Sequence, residues 1–307
     1  MAGIGVDVGG TYIKFVAVDD SGFVLKRAQS RTPDNGAELI KVIAGQMLAL
    51  KRGLKGHVRA GMGFAGAVDF KRGLVCFSPN IPSLKDLDVT AQVRKLTGLP
   101  CVIDNDANMA AWGAYDFELK KKYANVVAVT LGTGVGGGFI LNGEMFRGST
   151  GAAAEIGHMI LRLGGAKCAC GNRGCLEAYA GRYGLINHAR TAYGKAGREL
   201  PPDATPQWLY EAAEKGDKVA LELWEKMGEY LGEGLGNICV LLSPDVLIIT
   251  GGLSRAKDYF LPAMKRVFAS WRMNTAFEHM KIKVSRSPNL GSIGAAMYAQ
   301  HHFGRKK

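Results

Sequence analysis

No apolar run in this 307-residue chain approaches the roughly 18 residues that a membrane-spanning helix needs. Residues 1–8 pass from Met1 straight into an apolar stretch, without the basic segment and small-residue cleavage site of a secretory signal. A soluble, cytoplasmic protein with no membrane partner is therefore expected. The chain also lacks G-x-x-x-x-G-K-[ST] and any strand-linked G-x-G-x-x-G followed by a ribose-binding acid, which argues against P-loop and dinucleotide-binding folds. No stretch reads as a flexible linker, and 47% hydrophobic against 21% charged residues fits an ordered globular protein. Although 39 Lys and Arg against 27 Asp and Glu give a net charge of +12, the basic residues are not gathered on one element. That spread favours a solvated basic surface over a nucleic-acid patch, while the charge itself suits an anionic small-molecule partner.

What is abundant is glycine, 42 residues in clusters, and the clusters punctuate strands. Ile4, Val6 and Val8 lead to a Gly-Gly-Thr turn, Ile13 to Val18 follow, and after an Asp-Ser-Gly turn the alternation resumes at Phe23. This predicts a three-stranded meander. Leu39, Ile43, Met47 and Leu50 predict a helix over 37–51, and residues 58–64 a strand. Residues 70–92, broken by Pro and Lys, read as irregular loop. A short strand at 101–103 ends in DNDAN, with a helix expected over 109–117. The opening theme then recurs: strand 126–131, the turn LGTGVGGG, strand 139–141, an Asn142-Gly143 hairpin and strand 144–146. Residues 177–236 read as helical, with Leu221, Trp224, Gly228 and Leu231 near one face; strand 246–249 runs into TGGLS, and a small-residue helix is expected at 292–300. The repeated unit predicts two similar α/β domains facing each other across a cleft, one of residues 1–113 completed by the C-terminal helix (292–307), the other of residues 114–291.

Three glycine turns, Asp7–Thr11, Leu131–Gly138 and Thr250–Ser254, each follow a buried strand, where backbone amides can converge on phosphate oxygens. Thr11 and Thr133 can add hydroxyl donors. Asp7, at a strand end beside such a turn, suits a water-mediated Mg2+ ligand. Asp106 in DNDAN has two readings: an N-cap for the following helix, or a general base that accepts an alcohol proton during attack on a phosphoryl group. Between Glu155 and Glu177, His158, Cys168, Cys170 and Cys175 supply a full tetrahedral Cys3His set, which leaves no position for water and points to structural Zn2+. Free thiols and a disulfide are the competing readings, and cytosolic thiols stay reduced. Cys76, Cys101 and Cys239 lie in apolar contexts and read as buried thiols.

DVGGT, DNDAN, LGTGVGGG, E-x-G-H with C-x-C-G-x-x-G-C-x-E, and TGGLS occur in the order seen in the ROK family of repressors, open reading frames and kinases. From residue 3 to about 300 the chain resembles a ROK sugar kinase, most closely a glucokinase. The resemblance implies an actin-like, hexokinase-like (ribonuclease H-like) duplicated α/β fold, usually homodimeric. It implies an ATP- and Mg2+-dependent transferase of carbohydrate metabolism that converts glucose to glucose 6-phosphate. Fructose, mannose, N-acetylmannosamine, N-acetylglucosamine and inositol are alternative acceptors. By the same resemblance Asp106 is the catalytic base. Gly66, Asn80, Asn105, Glu155, His158 and Glu177 border or bind the sugar. Gly9, Gly10, Thr11, Thr133 and Gly134 hold phosphates, and Gly251 with Gly252 the adenosine. His158 would serve both zinc and sugar, one ring nitrogen for each. The chain departs from the family where Ala65 replaces a usual Pro, where PNIPSLKD lacks an aromatic, and where Tyr12 and Lys14 stand around the usual Lys position. A sugar-responsive repressor of the same family is the competing class. It is disfavoured because the first phosphate-loop strand begins by Gly3, leaving no room for a helix-turn-helix segment.

Overall fold

A computed structural model describes residues 2–79, 81–285 and 287–304. The opening alternation forms β1 (Ala2–Val8), β2 (Tyr12–Val18) and β3 (Val24–Arg31), an antiparallel meander that buries Ile4, Val6, Ile13 and Phe15. In α1 (Gly36–Lys51), capped by the Asn35 side chain, the helically spaced Leu39, Ile43, Met47 and Leu50 join that core. β4 (Val58–Phe64) runs parallel to β1. The stretch expected to be irregular instead builds a small antiparallel sheet from β5 (Ala67–Asp69), β6 (Leu74–Phe77) and β7 (Lys85–Asp88). Three- and four-residue strands carry too few alternations to register as a period, and their pairing supplies the missing specification. α2 (Val89–Thr97) leads to β8 (Cys101–Asn105), parallel to β4, and then to α3 (Asp106–Trp112). α3 starts three residues before the expected 109 and continues as a π-helical stretch, Gly113–Glu118.

The second copy of the meander is β9 (Val126–Leu131), β10 (Val135–Leu141) and β11 (Glu144–Phe146). Its β10–β11 hairpin turns at Asn142 and Gly143, with φ of +53° and +78°, the backbone that the Asn-Gly pair favours. There follow α4 (Glu177–Ala180), α5 (Arg182–Lys195), α6 (Pro206–Glu214), α7 (Lys218–Leu242), β12 (Val246–Thr250), α8 (Lys257–Ser270), β13 (Lys281–Val284) and α9 (Leu290–Gly304). On α7 the buried face runs through Leu223, Trp224, Met227 and Leu231, with Leu221 only partly covered. The expected face is therefore turned by part of a helical step. The strand orders are β3-β2-β1-β4-β8 and β11-β10-β9-β12-β13, each a meander extended by parallel strands, so the duplication read from the sequence is present in the topology.

The chain divides into two compact units, Met1–Ala128 with Gly138–Ala154 and Ser287–Lys307, and Val129–Gly137 with Glu155–Arg286. In the first, the small residues of α9 let its backbone lie directly on β1 and β4. A Cβ added at Gly61 would stand 1.9 Å from the Ala295 carbonyl oxygen, and one at Gly5 1.7 Å from that of Ser292. Gly61→Ala should therefore lower the unfolding free energy by about 2 kcal/mol or more through overpacking, read as a shift of the urea midpoint. An unchanged midpoint would show that α9 does not bear on the strand as closely as described.

Candidate active site

In the first unit β8 delivers DNDAN to the start of α3. Asn105 takes extended backbone angles, and its Oδ1 accepts the amides of Ala107 at 2.8 Å and Asn108 at 3.3 Å. Asn105 is thus the N-cap, and the N-cap reading of Asp106 is corrected: Asp106 is the first helical residue. Both residue types suit a cap; the extended conformation that a cap needs ends one residue earlier. Asp106 is half-buried, with Oδ1 2.9 Å from the Ala107 amide. Asn105 also donates from Nδ2 to the carbonyl of Gly66 at 3.1 Å, which places the Gly66 loop beside the turn. Asn80 lies outside the described residues.

Behind this turn is a group whose role the sequence did not disclose. Asp104 is 2% exposed, and its carboxylate accepts the Asn105 amide at 2.8 Å, Asn108 Nδ2 at 2.9 Å and Arg147 Nε at 2.7 Å. An Asp in a strand otherwise made of Cys, Val and Ile signals that a partner must exist; nothing in the spacing says it is Arg147. At the end of β1, the Gly9 amide donates to the Tyr12 carbonyl at 3.1 Å, leaving Gly10 and Thr11 exposed on the turn. Burial raises the Asp7 pKa above the usual carboxylate value, opposed by the charge of Lys14. A desolvated carboxylate of this kind gains from a nearby cation.

In the second unit Thr133 and Gly134 form the tight turn between β9 and β10, closed by the Gly132 amide on the Gly134 carbonyl at 3.0 Å. Thr133 is exposed. A Cβ at Gly134 would lie 2.1 Å from Glu177 Oε2, the same oxygen that accepts the Val135 amide at 3.0 Å. Glu177, at the head of α4, is therefore fastened to the glycine turn. Glu155 and His158 sit at the two ends of one 3-10 turn, bonded by the His158 amide to the Glu155 carbonyl at 3.0 Å. Desolvation raises the Glu155 pKa, with Glu177 adding to the shift and His158 opposing it. Gly251 and Gly252 follow β12 on the surface, with Gly251 at φ +94°.

His158, Cys168, Cys170 and Cys175 bring one ligand atom each to within 4.8 Å of one another. His158 Nδ1 is 3.8 Å from Cys168 Sγ, and Cys170 Sγ is 3.7 Å from Cys175 Sγ. A tetrahedral zinc with bonds of about 2.3 Å to sulfur has ligand edges of about 3.8 Å, so the four groups fit the ion. A disulfide needs about 2.05 Å between sulfurs, and all of these cysteines are free. Burial pushes the Cys168 thiol up to about 12, so a metal entering here must displace protons and binds more tightly as pH rises. The loop is braced by the Ala166 amide on the Tyr179 hydroxyl at 2.9 Å. Glu177 Oε1 receives Cys168 Sγ at 3.5 Å, so one carboxylate touches both the glycine turn and the cysteine cluster.

The ROK family model matches residues 3–302. The chain belongs to the ROK family. It is 33% identical over 311 residues to a glucokinase of Streptomyces coelicolor, covering 97% of each chain. A crystal structure of a ROK glucokinase from Streptomyces griseus, in complex with glucose and AMPPNP, superposes with a TM-score of 0.84 at 31% identity and covers 98% of this chain and 100% of that one. The xylose repressor of Bacillus subtilis is 29% identical over 310 residues, covering 98% of this chain and 77% of the repressor. On these similarities the ROK chain described here is a sugar kinase of the actin-like fold. The cysteine geometry can be checked without turnover. Titration of metal-free protein with Co2+ should give the intense visible bands of a tetrahedral thiolate site at one ion per chain, and Cys175→Ser should weaken or abolish them. A pale octahedral spectrum, or no saturation, would show that the four groups do not close on one ion.

Proposed function

We propose that this ROK sugar kinase transfers the γ-phosphoryl group of ATP to the 6-hydroxyl of glucose, with Asp106 as general base. The observation that carries the reading is the placement of Asp106 on a capped, hydrogen-bonded turn whose neighbour Asn105 holds the Gly66 loop. The similarity to glucokinases over nearly the full chain supports glucose as the acceptor. Phosphoryl transfer asks little covalent chemistry of a protein, so rate comes from position and charge. Asp106 receives the hydroxyl proton as the oxygen attacks. The Gly9 amide closes the first turn on the Tyr12 carbonyl; the backbone amides of Gly10 and Gly134, with the Thr11 and Thr133 hydroxyls, donate to phosphate oxygens, and Gly251 with Gly252 flank the adenosine. Asp7 would hold Mg2+ through water, an ion that supplies charge neutralisation at the phosphates. Asn105, Glu155, His158 and Glu177 orient the sugar hydroxyls. With Nδ1 of His158 turned toward the cysteine sulfurs, Nε2 is the nitrogen left for the sugar. A zinc held by His158, Cys168, Cys170 and Cys175 would fix that tautomer.

A coupled ADP-release assay with ATP and Mg2+ across hexoses, N-acetylhexosamines and polyols tests the reading. Turnover should be highest with glucose. A different preferred sugar would replace the acceptor and keep the chemistry, and silence across the panel in folded, zinc-loaded protein would favour a regulator of the kind its repressor relatives represent. Asp106→Asn should cut turnover by about 10²–10⁴-fold, the worth of a positioned base, while glucose affinity by calorimetry stays near that of the wild type. A variant that kept most of its turnover would remove Asp106 from the role.

A further inference from the structure

We propose that Arg147 is a positioning residue for phosphoryl transfer: through Asp104 it clamps the residues on both sides of the base and so sets where the Asp106 carboxylate points. The inference rests on the kinase reading above. Asp104 spends its oxygens on three donors from three places. Oδ1 takes the backbone amide of Asn105, immediately before the base, and the side-chain amide of Asn108, two residues after it. Oδ2 takes Arg147 Nε, from the residue that follows β11. Asp106 and Ala107 lie between the two clamped positions.

The chemistry of the pair says what it does. Arg147 lies over two aromatic rings, its guanidinium carbon 4.1 Å from the centre of the Phe70 ring and 5.1 Å from that of Tyr298. A planar cation stacked in this way is not replaceable by the point charge of a lysine. Yet among the described residues Arg147 Nη2 is buried without a hydrogen-bond partner of good geometry, and Nη1 reaches the Met145 carbonyl at 3.4 Å. A buried ion pair that leaves a donor unmatched is a poor device for stability, since apolar side chains of like volume serve as well or better. Its effect lies in orientation. Without Arg147 the buried Asp104 carboxylate must take up a proton or swing toward water, and either change loosens the bond to Asn105 or to Asn108. The base then loses its fixed direction and Asn105, on the same turn, shifts with it, while Glu155, His158 and Glu177 in the other unit keep their own partners.

The test pairs kinetics with amide hydrogen exchange in Arg147→Met, Arg147→Lys and the double variant Asp104→Asn with Arg147→Met. In Arg147→Met, kcat should fall by about 10–100-fold, clearly more than KM for sugar rises through the loosened Asn105, with KM for ATP changed by no more than about twofold, as expected for a misplaced group that acts at the transition state. Exchange of the peptide holding the Asn105 amide should quicken by about tenfold as its local opening becomes easier. Arg147→Lys should show the same split to a smaller degree. The double variant, which removes the stranded anion and keeps an amide oxygen for Asn105, should recover part of the lost kcat. Wild-type kcat and exchange in Arg147→Met would overturn the proposal, as would a parallel loss of kcat, sugar affinity and melting temperature, which is the mark of a purely structural residue. If Arg147→Met does not fold, Arg147→Lys decides by the same criteria. A wild type that phosphorylates nothing overturns the role in transfer, whereas normal wild-type turnover with no kcat and KM split overturns this proposal alone.

Discussion

Asp104 is a carboxylate where a carboxylate is costly. Nearly all of its surface is covered, in a strand where it follows the buried Cys101, Val102 and Ile103. Burial of an anion is tolerated only with charge and hydrogen bonds to match, and Asp104 obtains both from Arg147, Asn105 and Asn108. The consequence is a strand-to-helix turn held from behind, so that Asn105 caps α3 with one end of its amide and holds the Gly66 carbonyl with the other. The Asp106 side chain emerges from backbone that has little freedom left. A general base of unremarkable chemistry can be effective when its direction is settled before the substrate arrives.

The second unit solves a similar problem with Glu177. One carboxylate oxygen receives the amide that ends the glycine turn, the other the sulfur of Cys168. The phosphate-loop candidate and the metal loop are therefore joined through a single side chain, and His158 belongs to the same group through its contact with Cys168. A closed metal site of this kind does no chemistry on the sugar. With an ion bound, it would fix the imidazole, committing one nitrogen and leaving the other free to face a ligand. The two units thus use different devices, a partly buried ion pair and a cysteine-histidine loop, to restrict the polar side chains around their candidate site turns.

Much of this was legible in the sequence because it is written in residue type and period. Alternating β-branched residues located β1, β2, β4, β9 and β12 closely, and the repeated strand and glycine turn carried the duplicated topology. The cysteine and histidine spacing named a coordination set from chemistry alone. What escaped depends on partners distant in the chain. Arg147 is 43 residues from Asp104, and no local pattern records their meeting. The β5–β7 sheet exists because short strands pair with one another, which a period of two over three residues cannot announce. Asn105 and Asp106 are both good cap residues; only the backbone decides between them.

Catalysis of the kind proposed depends on where the acceptor hydroxyl lies with respect to Asp106. The most direct measurement is a crystal structure of the protein with glucose, Mg2+ and a non-hydrolysable ATP analogue. The expected result is the sugar 6-hydroxyl oxygen within about 2.6–3.2 Å of an Asp106 carboxylate oxygen, the reach of a general base, with the γ-phosphorus in line beyond it. A glucose bound with another hydroxyl toward Asp106, or with Asp106 turned away and a different side chain at the 6-hydroxyl, would contradict it.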